Sequence, residues 1–169
     1  YDDLTAIGIN PSSVNPKNAR IYGNGGGMIP EANSTFIYDD LYENSIIVIG
    51  ESDGTFDKND YILFYGESPI RWTYNNTDKK FHHRINDYSD FTYYFLSFDK
   101  GSGKRIQYQS SSNLNPNKSV ITFNDYYYHQ KDSFNLIKSG REWYGELFDV
   151  VTDYNFNTTF NNINTSFPL

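Results

Sequence analysis

The densest set of oxygen ligands in the chain lies between residues 50 and 60: Glu51, Asp53, Asp57, Asn59 and Asp60. Hard cations such as calcium take about six to eight oxygens, and loops rich in Asp, Asn and Gly supply them. The EF-hand spacing fails, because Lys58 stands where that loop has its invariant glycine and Phe64 where it has its final glutamate. A turn whose side chains bond local backbone is therefore the first reading, and a calcium site the second. The same stretch contains Gly50-Glu51-Ser52-Asp53-Gly54, a match to the G-x-S-x-G nucleophile elbow, with His82, His83 and His129 downstream. An esterase built on Ser52 would need a strand, a tight turn and then a helix. Residues 57–65 read instead as turn and strand, so a chance match in a Gly/Ser/Asp loop is the better explanation.

Other candidates are weaker. Gly23-Asn24-Gly25-Gly26-Gly27-Met28 lacks both the third glycine of a dinucleotide loop and the Lys-Ser/Thr of a phosphate loop. Its glycines serve a sharp backbone course. His82 and His83 are adjacent, so on a strand they point to opposite faces and cannot chelate one ion. Trp72, Trp143 and Tyr126-Tyr127-Tyr128 could form a sugar-stacking face, which makes a carbohydrate- or ligand-binding β-sandwich module the alternative functional class. The chain has no cysteine, which removes disulfides, thiolate metal sites and a cysteine nucleophile.

The elements that must position these residues follow from composition. With 16 Tyr, 13 Phe and 2 Trp and little Ala, the core must be aromatic, and Tyr and Phe favour pleated surfaces over helices. The expected fold is mainly β, a β-rich α+β class of antiparallel sheets or a sandwich built from hairpins, with one or two short helices. Residues 1–7 have helix spacing with Gly8 as a stop, and residues 20–22 form a short strand. Residues 46–49 and 61–65 read as a hairpin across the acidic loop. Residues 71–74 alternate like a strand, residues 92–98 and 104–109 read as a second hairpin, and 120–123 and 146–156 as further strands. Asp132 caps an expected short helix through Phe134, Leu136 and Ile137, with Gly140 beyond its end. One domain is expected over 1–160, with 161–169 a linker or the start of the next strand.

The net charge of −7 argues against a nucleic-acid partner, which calls for a basic stripe, and against an anionic membrane surface. The longest apolar run, Ile46-Ile47-Val48-Ile49, is strand-sized, so no direct membrane insertion is expected. The first residues show neither the basic n-region nor the apolar h-region of a signal peptide.

Several stretches carry a likeness beyond composition. They include Tyr22-Gly23-Asn24-Gly25-Gly26-Gly27-Met28, Asp53-Gly54-Thr55-Phe56, Asp60-Tyr61-Ile62-Leu63-Phe64-Tyr65-Gly66, Gly103-Lys104-Arg105-Ile106 and Ser139-Gly140-Arg141-Glu142-Trp143-Tyr144-Gly145-Glu146. In this order they resemble the N-terminal, pre-peptidase region of the PorU-like sortases of the type IX secretion system of Bacteroidetes, which belong with the gingipain-type cysteine peptidases. The resemblance implies a parent exported to the cell surface, associated with the outer membrane, which processes C-terminal sorting signals of secreted proteins. It places the Cys–His chemistry in a peptidase domain outside this chain. This chain would then be non-catalytic, with a structural or docking role, partnered by the peptidase domain of the same parent and by other secretion components. No catalytic residue transfers to any position here.

Arg141, Glu142, Trp143 and Tyr144 fall between two glycines just past the expected helix and are expected to form a structural junction or interface. Trp143 is expected to be largely buried, and Arg141 to reach a carboxylate or carbonyls of another segment.

Overall fold

The computed structural model describes residues 1–123, 125, 127–138, 140, 142–161 and 163. They group into two compact units, Tyr1–Ser110 and Ser111–Leu169, where the sequence reading drew one domain over 1–160. The fold is β-rich, with small antiparallel sheets and little helix. Among the described residues no helix is long and apolar enough to cross a membrane.

The first unit opens with helix α1 (Asp2–Ala6), which carries Asp2 and Asp3 in its first turn, where they complement the helix dipole, and buries Leu4. Gly8, at φ +85°, turns the chain out of it. Two single 3-10 turns follow, Pro11–Ser13 and Pro16–Asn18, each started by an asparagine whose side chain accepts the amide two residues on.

Strands β1 (Arg20–Tyr22), β2 (Glu43–Asn44), β3 (Ile46–Ile49), β4 (Tyr61–Phe64), β5 (Arg71–Asn75), β6 (Lys80–Arg84) and β7 (Phe95–Ser97) complete the unit. They make one three-stranded sheet in the order β2-β1-β7 and two two-stranded sheets, β3-β4 and β5-β6. The β3-β4 hairpin is the one expected from the apolar runs, in the register Ile46↔Phe64 to Ile49↔Tyr61. Its pleat sends Ile46 and Val48 into the core, with Ile62 and Phe64 packed against it. Leu4, Ala19, Ile21 and Phe56 complete that core, so the helix, β1 and the acidic loop all contribute to it.

The expected hairpin of 92–98 with 104–109 does not form. β7 pairs instead with β1, Ile21 opposite Leu96, and residues beyond the turn continue to β3. There Ile46 N–H donates to the Lys104 carbonyl (3.2 Å) and Ile106 N–H to the Ile46 carbonyl (2.9 Å), a parallel bridge. Strand β5 pairs with residues 80–84 across a tight turn.

The second unit departs furthest from expectation. No regular strand forms at 120–123 or 146–156 among the described residues. The helix expected from Asp132 is absent as well: Phe134 and Tyr144 exchange backbone hydrogen bonds of 2.9 and 2.7 Å, closing a loop that turns at Leu136 and Ile137. A helix of about six residues is marginal without a packed face, because nucleation costs more than one turn returns. Here Leu136 and Ile137 are exposed and provide no such face.

Candidate functional site

The acidic loop leaves β3 at Gly50, whose φ of +91° suits glycine, and makes a 3-10 turn at Glu51–Asp53 before reaching β4. The Glu51, Asp53 and Asp60 carboxylates turn toward protein partners. Glu51 accepts from Arg105 at both oxygens, Oε2 lying 2.7 Å from Nη2 and 3.0 Å from Nε. Asp53 Oδ1 accepts the Thr55 amide at 2.9 Å, and Asp60 Oδ2 the Asp57 amide at 2.8 Å. The Asp60 amide in turn donates to the Asp57 carbonyl at 3.1 Å, while Asn59 is exposed. The Arg105 guanidinium takes up the Glu51 carboxylate. Among the described residues no group of three or more His, Asp or Glu side chains is gathered to hold a metal ion. The arrangement is that of a stapled turn.

Arg105 is the residue that organises this region. Besides Glu51, it donates to the Pro16 (3.2 Å), Lys17 (2.8 Å), Ala19 (3.1 Å) and Lys104 (3.3 Å) carbonyls. The planar fork of five donors makes this possible, since one ammonium could not reach so many acceptors in fixed directions. Lys17 Nζ reaches the Ser52 carbonyl at 2.8 Å from the same side.

A second arginine clamps the neighbouring turn. Arg20 pairs with Glu43 at 2.9 Å and donates to the carbonyls of Lys100 (2.8 Å), Gly101 (3.1 Å) and Ser102 (2.7 Å). Its guanidinium is held above its ordinary pKa, chiefly by the hydrogen bond to the Tyr22 hydroxyl, with burial opposing and Glu43 adding. Glu43 Oε1 accepts the Lys104 amide at 2.7 Å, so the two clamps share one turn.

The glycine loop is also structural. Asn24 spans it, Oδ1 accepting the Tyr42 amide at 2.7 Å and Nδ2 donating to the Asp40 carbonyl at 2.9 Å. A side chain at Gly26 would meet Thr92 Oγ1 and lie 2.8 Å from Pro69 N, so only glycine fits. Sequence reasoning named these glycines but missed Arg20 and Arg105. Their acceptors, Glu43 and Glu51 among them, lie far off in the sequence, where no local pattern announces them.

Ser52 sits in the 3-10 turn and the chain runs on through a turn into β4, a strand–turn–strand course without the helix of a nucleophile elbow. The histidines are engaged elsewhere, His82 with Asp78 (2.6 Å), His83 against the Trp72 ring (4.9 Å) and His129 with Glu146 (2.8 Å). With no cysteine, the chain has no cysteine nucleophile.

Trp72 lies on β5 in the first unit, whereas Tyr127, Tyr128 and Trp143 belong to the second. Tyr126 and Arg141 lie outside the described residues. Glu142 is exposed, and Tyr144 holds its place through the backbone bridge to Phe134. Trp143 keeps 42% of its surface exposed, against the expectation of burial. Backbone bonds between Phe134 and Tyr144 join the chain here beside the half-exposed indole.

No family model matches the chain, and no curated protein or solved structure matches it either.

Proposed function

We propose that the chain is a non-catalytic structural and docking domain of a PorU-like type IX secretion sortase, seating the peptidase domain of the same parent at the cell surface. One observation supports a docking role above the others. The β3-β4 hairpin is apolar on both faces: Ile46 and Val48 face the core, while Leu63, 55% exposed, and Tyr61, 53% exposed, point outward beside Ile49. A strand pair with two apolar faces is the pattern of a sheet covered on both sides. The pieces that carry the resemblance serve architecture here, the Gly-Lys-Arg-Ile segment as a clamp and the glycine loop as a close-packed crossing.

The test uses the chain with the purified peptidase domain of its parent. The chain alone should cleave no peptide bearing a C-terminal sorting signal, and Leu63→Asp should weaken its association with the peptidase domain at least ten-fold while circular dichroism stays unchanged. Turnover by the chain alone, or association indifferent to Leu63→Asp, overturns the reading.

A further inference from the structure

The β5-β6 hairpin is locally cationic in an acidic chain. Residues 71–84 hold four cationic side chains, Arg71, Lys79, Lys80 and Arg84, against one acidic one, Asp78, in a chain of net charge −7. The two arginines lie opposite each other at the base and are matched there, Arg71 by Glu67 and Arg84 by Asp87 (2.6 Å). Asp78 is taken up by His82. Its carboxyl lies below its ordinary pKa although desolvation, the largest influence, pushes it up; the His82 bond, the Lys80 amide and the charges of His82 and Lys80 together outweigh that. Lys79 and Lys80, at the tip, have no ion pair among the described residues.

The next rung behind them is apolar. Tyr74 and Phe81 face each other across the strands with ring centroids 5.2 Å apart, Phe81 63% exposed, and Trp72 with His83 forms the rung two residues further on. The Tyr74 and Phe81 planes are inclined at 59°, so they present a wedge and no flat platform on which a sugar or base could stack. Lysines at a tip with an aromatic rung directly behind match the two layers of an anionic bilayer surface: phosphates outside, and a boundary that aromatic rings occupy about 5–10 Å in.

We propose that the β5-β6 hairpin is a peripheral docking element for an anionic lipid surface, meeting it tip first with Lys79 and Lys80 on the phosphates and Tyr74 and Phe81 at the headgroup boundary. The chain-wide charge, which argues against such a partner, averages over this distribution. At physiological salt a charge acts over about 8 Å, so the surface responds to the tip it touches and little to acidic residues further away. This inference stands on the hairpin alone and does not depend on the sortase reading.

The experiment is co-sedimentation of the full chain with vesicles of phosphatidylcholine alone, with mixed phosphatidylcholine–phosphatidylglycerol vesicles, and a parallel binding assay with heparin. Binding should appear on the mixed vesicles, be absent on phosphatidylcholine and fall as salt rises. Each lysine at an anionic surface strengthens binding about five-fold, so the double variant Lys79→Glu/Lys80→Glu should weaken it about thirty-fold or more. Phe81→Ser should weaken it several-fold with both lysines in place. All three substituted positions are exposed, and unchanged circular dichroism shows that the variants stay folded. Failure to bind the mixed vesicles at low salt, binding that the double reversal leaves intact, or binding to heparin without binding to vesicles overturns the proposal.

Discussion

In the unit Tyr1–Ser110, carbonyls from residues 16, 17 and 19 converge on the guanidinium of Arg105, which Glu51 binds as well. In the unit from Ser111 onward, the described residues show one backbone bridge, Phe134 with Tyr144, alongside side-chain contacts such as His129 with Glu146 and Phe148 with Tyr154 (5.0 Å). Both units are rich in aromatics, so the difference does not lie in how much ring surface is available. It lies in what orders the backbone. The first unit has strands whose ladders satisfy their own amides, and arginines that bind carbonyls left over in the turns. The second, among its described residues, has rings in contact without a framework of ladders to fix their positions. Aromatic area alone therefore does not specify a sheet.

The sharpest way to break this comparison is to remove Arg105. Its side chain is 22% exposed and that of Glu51 29%, so solvent screens the pair only in part. Arg105→Ala takes a donor from four carbonyls and a carboxylate, and should cost the first unit about 2–4 kcal/mol, somewhat below the range for breaking a fully buried pair. Urea unfolding followed by the fluorescence of Trp72, in a Trp143→Phe background, measures it. Arg105→Lys should recover only a small part, because an ammonium lacks the fork. A loss below about 0.5 kcal/mol, the level of an exposed ion pair, would show that the clamp is a surface feature and that the strands suffice without it.

A smaller effect is expected at Trp143. Had the indole been a core residue, Trp143→Ala would remove about 3–5 kcal/mol. At 42% exposure it contributes less buried area, and a loss of about 1–2 kcal/mol is expected in the second unit. Hydrogen exchange at the Phe134 and Tyr144 amides is the suitable measurement, since those amides report the bridge directly. Protection that survives the substitution locates the order of this loop in its backbone. Complete loss of protection would make the ring its core after all, and the two units would then be alike in kind.

What the sequence disclosed follows the same division. The β3-β4 hairpin was legible because two apolar, β-branched or aromatic runs are bounded by Gly50 and Asp60, a local signal in a single stretch. Helix α1 and β1 were legible for similar reasons. The partner of β7 was not, because Ile21 and Leu96 are far apart in the chain, as are Arg20 and the carbonyls it binds in the turn after β7. Residues 104–106 looked like a hairpin strand and serve as a parallel bridge to Ile46. In the second unit, 120–123 and 146–156 have strand-forming residues, yet β-propensity expresses fit to a partner surface, and no ladder partner is present among the described residues. The acidic loop was expected as a locally bonded turn or a calcium site, and composition did not show that Arg105, fifty-four residues on, binds Glu51.

The smallest expected effect separates local from distant control within the first unit. Asp99 follows β7 and its carboxyl lies below the ordinary value, first because the Ser97 hydroxyl donates to it, then through its own backbone amide. Burial opposes the shift, and Lys100 and Arg20 add to it last. A carboxyl lowered by folding favours the native state above its unfolded pKa of about 3.9, and that contribution is lost as pH falls through the lower, folded value. Ser97→Ala should therefore move the Asp99 titration, followed by carboxyl chemical shift, up toward the ordinary range. The stability gap between wild type and variant, present at neutral pH, should close in acid below the folded value. Arg20→Ala should move the same titration less, although Arg20 binds three carbonyls in this turn, because its charge stands last among the influences on Asp99. If Arg20→Ala moves Asp99 more than Ser97→Ala does, the turn owes its electrostatics to the distant clamp. The comparison between the two units would then extend from backbone geometry to charge.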